Sequence, residues 1–304
     1  MRVGTLVPMP KLVWLNGRTM PLETATTSVA DHAHLYGDGL FEGIRIYNSR
    51  VFKLDEHLAR AYYGCKFMGF KMSMSQDQLR AKILEVCSEA GIENGYIRLN
   101  ITRGTGLGLD PSVIDPEPNV MIMINTLALY GPDKYEKGLE VVTTSYRTIP
   151  ADSLDPRLKC IGRYASNILA KQEANRQGAG EGLMLNHEGY VAECTGDNIF
   201  WFKDGVMHTP ASAMGILEGI TRNTVIKLAR EDGMEVREGV YTRYDILESD
   251  EAFLTGTAAE VIPMVSLDSV KVGDGNPGKR TMHLISLFRA HTQIGAEFSI
   301  AQPA

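Results

Sequence analysis

Cysteine is scarce here and never paired: Cys65, Cys87, Cys160 and Cys194 stand far apart, with no CxxC spacing. That argues against a disulfide framework or a zinc site and fits a reducing cytoplasm. The histidines form no HxxxH or HExxH pattern. No apolar run reaches about 18 residues, so no transmembrane helix is expected. Basic residues are not in excess. Lys and Arg number 31 against 37 Asp and Glu, a net charge of −6, which argues against a nucleic-acid partner. The opening "MRVGTLVPMPKLVWLNGR" lacks the apolar core followed by small residues of a secretory signal. Internal repeats and low-complexity tracts are absent as well.

What is present suits a soluble globular protein. The 304 residues are 44% apolar and 22% charged, long enough for two domains or one large one. "LVWLNGRTMPL" reads as two strands joined at Asn16-Gly17, and "GIRIYNSRVFKL" as a second hairpin turning at Asn48-Ser49. A helix is expected from Asp55 as N-cap. Ser75 and Gln78 make a capping box before a second helix. "GYIRLNITRG" and "NVMIMINTLAL" are strand-like. Residues 126–138, with a Gly-Pro pair and a charged stretch, read as a connection between a small domain, 1–125, and a larger one, 139–304. The larger part alternates hairpins with helices, and its "EAFLTGTAAEVIP" reads as a strand entering a Thr-Gly-Thr turn. Strands that meet mostly through hairpins imply largely antiparallel sheets carrying helices, a mixed α+β fold rather than a doubly wound parallel one.

The glycine-rich "GTGLGLD" at 104–110 resembles a dinucleotide loop. Such a loop needs a helix directly behind it, and "PSVIDPEP" cannot supply one of any length. A surface turn is the better reading.

Several other residues could hold a small anion. Gly219 precedes a helix start, so the N–H groups of Ile220 and Thr221 would point outward with a positive dipole end behind them. Thr221 adds a hydroxyl, Thr257 sits at a turn, and Arg60 on the first helix adds a fixed charge. Each has an ordinary alternative: glycine often precedes a helix, and an arginine on a helix is usually solvated. Their combination with Lys159 and an acid suggests pyridoxal 5′-phosphate. That cofactor's aldehyde forms a Schiff base with a lysine amine. The lysine, once displaced by an incoming amine, can move a proton if it is neutral. A carboxylate must also keep the ring nitrogen protonated. Glu193, ending a short strand in "GYVAECTGDN", is the candidate, its alternative being a solvent-facing strand end. Tyr164, one helical turn beyond Lys159, could hydrogen-bond the ring oxygen, or simply be a core tyrosine with a wet tip.

These blocks resemble one family along nearly the whole chain: "HLYGDGLFEGIRIY", "LDEHLAR", "YIRLNITRG", "LDPRLKCIGRYASNILAKQEANRQGA", "GYVAECTGDNIF", "GILEGITRNTV" and "DEAFLTGTAAEVIP". The sequence is similar to fold-type IV pyridoxal-phosphate transaminases, most closely branched-chain amino acid aminotransferases. The resemblance implies two α/β domains with the active site at their interface, and a homodimer as the minimum assembly. It implies that Lys159 bonds the cofactor, Glu193 contacts the ring nitrogen and Tyr164 the ring hydroxyl. Arg60, Ile220, Thr221 and Thr257 match phosphate-binding positions. By similarity Arg98 with Tyr36 receives the side-chain carboxylate of glutamate, and Phe41 lines an apolar wall. The α-carboxylate meets the Thr257–Ala258 turn, helped by Tyr96. D-amino acid transaminases show a histidine where this chain has Asn100, and the related aminodeoxychorismate lyase lacks the "YIR" triplet. Both remain the alternatives. The chain departs from the family at Cys160, at Cys194 and in the "IGR" that brings Arg163 next to Tyr164.

Overall fold

The computed structural model describes residues 12–114, 116–126, 129–294 and 298–300. They divide into two compact units. One takes the chain up to Leu129, with Lys159–Gly162 and the stretch from Thr292; the other takes Tyr130–Leu158 and Arg163–His291.

The first unit opens on the hairpin β1 (Leu12–Leu15) and β2 (Arg18–Met20). Its turn residues Asn16 and Gly17 both have positive φ, 45° and 91°, as a two-residue hairpin turn requires. A short helix, α1 (His32–Tyr36), leads into β3 (Gly39–Tyr47), which turns at Asn48 and Ser49 into β4 (Arg50–Val51). Helices α2 (Leu54–Met68) and α3 (Gln76–Ala90) precede β5 (Gly95–Thr102) and β6 (Asn119–Asn125). The α3 capping box forms with both of its bonds. Helix α2 differs from expectation: Lys53, at φ 54°, is its N-cap, and Asp55 lies in the first turn. This earlier start leaves Leu54 fully buried, while Asp55 still meets the positive helix end and pairs with Arg80.

The sheet runs Phe298–Ser299, β4, β3, β5, β6, β1, β2, antiparallel throughout. Strand periodicity sorts its side chains. Ile97, Leu99 and Ile101 of β5 are buried, and Tyr96, Arg98 and Asn100 take the other face. Across the pair, Phe41 opposes Asn100 and Gly43 opposes Arg98. Residues Lys159–Ile161 pair along the start of β3. Leu40 and Cys160 form an antiparallel bridge, and Phe41 N–H donates to the Lys159 carbonyl at 3.1 Å.

The second unit begins with α4 (Pro132–Lys137) and β7 (Leu139–Arg147), then α5 (Tyr164–Arg176). Four strands follow: β8 (Glu181–Leu185), β9 (Val191–Cys194), β10 (Asn198–Lys203) and β11 (Val206–Pro210). Next come α6 (Ile220–Glu231), β12 (Val236–Gly239), α7 (Arg243–Leu247), β13 (Glu251–Gly256), β14 (Glu260–Leu267) and β15 (Val270–Lys271). The sheet order is β12, β11, β10, β13, β14, β7, β8, β9, with β15 on β14. Hairpins dominate, but β11–β12, β14–β7 and β7–β8 are parallel. Two of these follow from crossovers, since α5 joins β7 to β8 and α6 joins β11 to β12. The core is aromatic at its centre, where Phe200 and Phe253 stack at 5.0 Å. Helix α8 (Lys279–Ile294) closes the order of helices. No helix among the described residues is long and apolar enough to cross a membrane.

Candidate active site

In the first unit, pairing along β3 and β5 gathers four of the expected residues on one sheet face. Lys159 lies beside the Leu40–Cys160 bridge, and its Nζ stands 4.5 Å from the Phe41 ring centre. The Arg98 guanidinium lies 3.6 Å from the same ring. Arg98 Nε donates to Asn100 Oδ1 at 2.8 Å, and no carboxylate pairs with Arg98 among the described residues. Among the described residues Arg98 thus keeps its terminal nitrogens clear of any ion pair along the strand face. Tyr96 reaches across Gly43, where an added Cβ would overlap the Tyr96 hydroxyl. Glycine at 43 is the residue that lets the phenol lie there.

Tyr36 ends α1, half exposed. Its hydroxyl accepts the Gly108 N–H at 3.3 Å, and its ring meets His32 edge-on. His32 in turn bonds Asp38 and the Gly108 carbonyl, each at 2.9 Å. The glycine-rich stretch is thus a pinned surface loop, with Leu107 and Leu109 at 72% and 81% exposure.

Arg60 takes a different place. Glu42 alternates with Phe41 along β3, so it leaves the sheet on the opposite face, toward α2. There its Oε1 accepts Arg60 Nε at 2.7 Å, its Oε2 accepts Arg60 Nη2 at 2.8 Å, and Oε2 also lies 2.7 Å from His57 Nδ1. Burial works against the Glu42 anion, but the Arg60 charge and these bonds prevail, holding the carboxyl well below the usual range. Burial pushes His57 down from 6.5, the bond to the Glu42 carboxylate opposes that push, and the charges of Arg60 and Lys159 add to it. Glu42 and His57 carry no signal in the sequence, because "FEGIR" reads as an ordinary strand and "DEHLAR" as an ordinary helix.

In the second unit Glu193 is buried at 6% exposure rather than facing solvent. Three donors converge on its carboxylate. Arg163 Nη2 reaches Oε1 at 3.1 Å, Leu217 N–H reaches Oε2 at 2.8 Å, and Asn198 Nδ2 lies 3.5 Å from Oε2. Asn198 also donates to the Leu217 carbonyl at 2.9 Å. It pairs with Thr255 in the sheet, and its side chain would collide with any Cβ at Gly219. Sequence reasoning misses this asparagine, whose only signal is its place after the "TGD" turn.

Gly219 enters α6 extended, with no side-chain cap, so the first-turn N–H groups at Ile220 and Thr221 keep their anion-binding character. The turn between β13 and β14 holds Thr257 and Ala258. It falls later than the expected Thr-Gly-Thr turn, since Thr255 and Gly256 are still strand. The Thr255 hydroxyl is buried without a hydrogen-bond partner among the described residues. Tyr164 is the first residue of α5, not one turn along it, because Lys159 precedes the helix in extended chain. An acceptor carboxylate for a ring N–H, an uncapped helix start and an orphaned hydroxyl suit a phosphorylated pyridine better than any metal.

Fold and residues together define a class: the chain belongs to the amino-transferase class IV family, whose model matches residues 39–267. Among curated relatives it is 40% identical, over 278 residues, to a putative branched-chain-amino-acid aminotransferase of Methanocaldococcus jannaschii, covering 91% of this chain and 95% of that one. It is 36% identical, over 281 residues, to the branched-chain-amino-acid aminotransferase of Escherichia coli K12, covering 91% of each. Among solved structures it is similar to the branched-chain amino acid aminotransferase of Thermobaculum terrenum in its PLP-form. The TM-score is 0.83 at 31% identity, over 94% of each chain.

Proposed function

We propose that this chain is a pyridoxal 5′-phosphate-dependent transaminase that moves the amino group between L-leucine, L-isoleucine or L-valine and 2-oxoglutarate. The observation that carries the reading is the shared Phe41 ring. It holds an amine, Lys159 Nζ at 4.5 Å, beside a guanidinium, Arg98 at 3.6 Å, which is the pairing a transaminase of dicarboxylic acids needs.

The cofactor, when bound, supplies an aldehyde for the amine and an electron-withdrawing ring that makes the substrate α-proton acidic. Lys159 would anchor it, and its freed amine would take up the proton from the substrate α-carbon. Glu193 would accept the ring N–H, and Tyr164 would donate to the ring oxygen. The N–H groups of Ile220 and Thr221, the hydroxyls of Thr221 and Thr257, and the Arg60 guanidinium would hold the phosphate. Glu42 keeps Arg60 aimed. With Asn100 holding its Nε, Arg98 offers its terminal nitrogens to the glutamate side-chain carboxylate, and Tyr36 supports it. Phe41 lines the wall for a branched side chain. The Thr257–Ala258 turn and Tyr96 take the α-carboxylate. The enzyme works as a homodimer or larger homo-oligomer in the cytoplasm, a reading in keeping with four free, buried thiols.

Borohydride reduction of the loaded protein should leave a phosphopyridoxyl group on Lys159, and Lys159→Ala should abolish transamination while leaving the fold intact. A panel of L- and D-amino donors with 2-oxoglutarate tests the substrate. Turnover of D-alanine without turnover of leucine would reverse the assignment.

A further inference from the structure

Arg163 is an unusual residue for its position. It is the N-cap of α5, at 3% exposure, where the helix dipole disfavours a cation and where it makes no capping bond of its own. Its guanidinium instead bonds the Pro156 carbonyl through Nη1, and Glu193 Oε1 at 3.1 Å and the Gly215 carbonyl at 3.3 Å through Nη2. Three separate segments therefore fix the fork, and the fork fixes one oxygen of Glu193. The other oxygen is fixed by Leu217 N–H and Asn198. A carboxylate held at both oxygens cannot rotate. One paired with a buried cation is also a weaker acceptor for any further proton.

We infer that Arg163 is a positioning residue that orients Glu193 toward the cofactor ring nitrogen and reduces how firmly that nitrogen keeps its proton. This rests on the transaminase reading above. Glu193 alone would place a full negative charge at the ring N–H; with Arg163 behind it, the pair is neutral. The neighbouring charges do not substitute for Arg163. Asp155 is held by Arg157, and Glu181 is held by Lys171. The Cys194 thiol is pushed well up by burial and stays neutral, with Asp197 nearby.

The test uses the enzyme loaded with ring-¹⁵N pyridoxal 5′-phosphate. The ¹⁵N chemical shift is followed against pH in wild type, Arg163→Gln, Arg163→Met and Arg163→Lys. In the two neutral variants the ring nitrogen should lose its proton about one pH unit higher, the scale of one nearby unit charge. Arg163→Lys should titrate near wild type. Affinity of the apoenzyme for 4′-deoxypyridoxine 5′-phosphate, which has no aldehyde, should fall severalfold in Arg163→Lys because its single ammonium cannot span the three acceptors. Should neither neutral variant fold, Arg163→Lys decides alone: retained titration with weakened analogue binding supports the role. Titration and binding unchanged in every folded variant would overturn it. Failure of borohydride to label Lys159 in wild type would instead sink the transaminase reading, so the two failures are distinguishable.

Discussion

Glu42 grips Arg60 with both carboxylate oxygens, Nε to Oε1 at 2.7 Å and Nη2 to Oε2 at 2.8 Å, while His57 Nδ1 sits 2.7 Å from Oε2. The carboxylate is essentially inaccessible at 1% exposure. Removing its charge takes from a partly buried guanidinium the carboxylate that grips it at two nitrogens. Glu42→Gln should therefore cost about 2–4 kcal/mol, read as a lowered urea midpoint at unchanged slope. Cofactor affinity should fall with it, since Arg60 loses its aim.

The same cluster sets a pH dependence. Glu42 has a depressed folded value, so its contribution is present above the ordinary carboxylate value and fades as pH falls toward the folded one. His57 is also depressed from 6.5 by burial, so the unfolded chain takes up a proton there before the native one does. Both groups therefore lower stability as pH falls. Thermal melts should show stability falling as pH drops below about 6.5, and the decline should flatten in His57→Gln. Stability flat from about pH 7 to 5 would contradict this account.

Arg98→Met should separate the two half-reactions. The leucine half-reaction should change less than about tenfold. That with 2-oxoglutarate should lose about a hundredfold in kcat/KM, the scale of a lost charge-assisted pair. Equal losses for both substrates would show that Arg98 does not read the second carboxylate.

Gly37 has φ 71°, and a Cβ there would lie 2.6 Å from the Gly162 Cα. Gly37→Ala should lower stability by about 1–3 kcal/mol through strain and backbone displacement. It should also slow borohydride labelling of Lys159, because the segment bonded to Gly37 and Gly39 must shift.

Burial pushes the Cys65 and Cys87 thiols up to about 12 and that of Cys194 well above its ordinary value. Iodoacetamide at about pH 8 should leave these three unlabelled in the native protein and label all four cysteines after denaturation. Rapid native alkylation of Cys65 would show that α2 opens readily.

What was legible in the sequence was local. Asn16-Gly17, Asn48-Ser49 and Ser75 with Gln78 each carry their own turn or cap chemistry, and each forms as read. What was not legible depends on residues distant in the chain. No local pattern announces that β7 runs parallel to β14, or that Lys159–Ile161 pairs with the start of β3. Lys159 and Glu193 stand out only in combination with the anion-binding residues and through the resemblance carried by the blocks around them. Glu42, His57 and Asn198 look ordinary in sequence and become significant only through their partners. Asp55 is a good cap by type, yet burial of Leu54 decides where α2 begins.

The strip Lys159–Gly162 belongs to the first unit, yet the chain on either side of it belongs to the second. During synthesis the early strands leave the ribosome well before that strip exists. The β3 edge must wait, its amides provisionally hydrated, until a much later stretch of polypeptide arrives to zip onto it. Such late closure favours slow maturation and reliance on chaperones for the nascent protein, while a fragment ending before residue 159 would carry an open edge ready to aggregate.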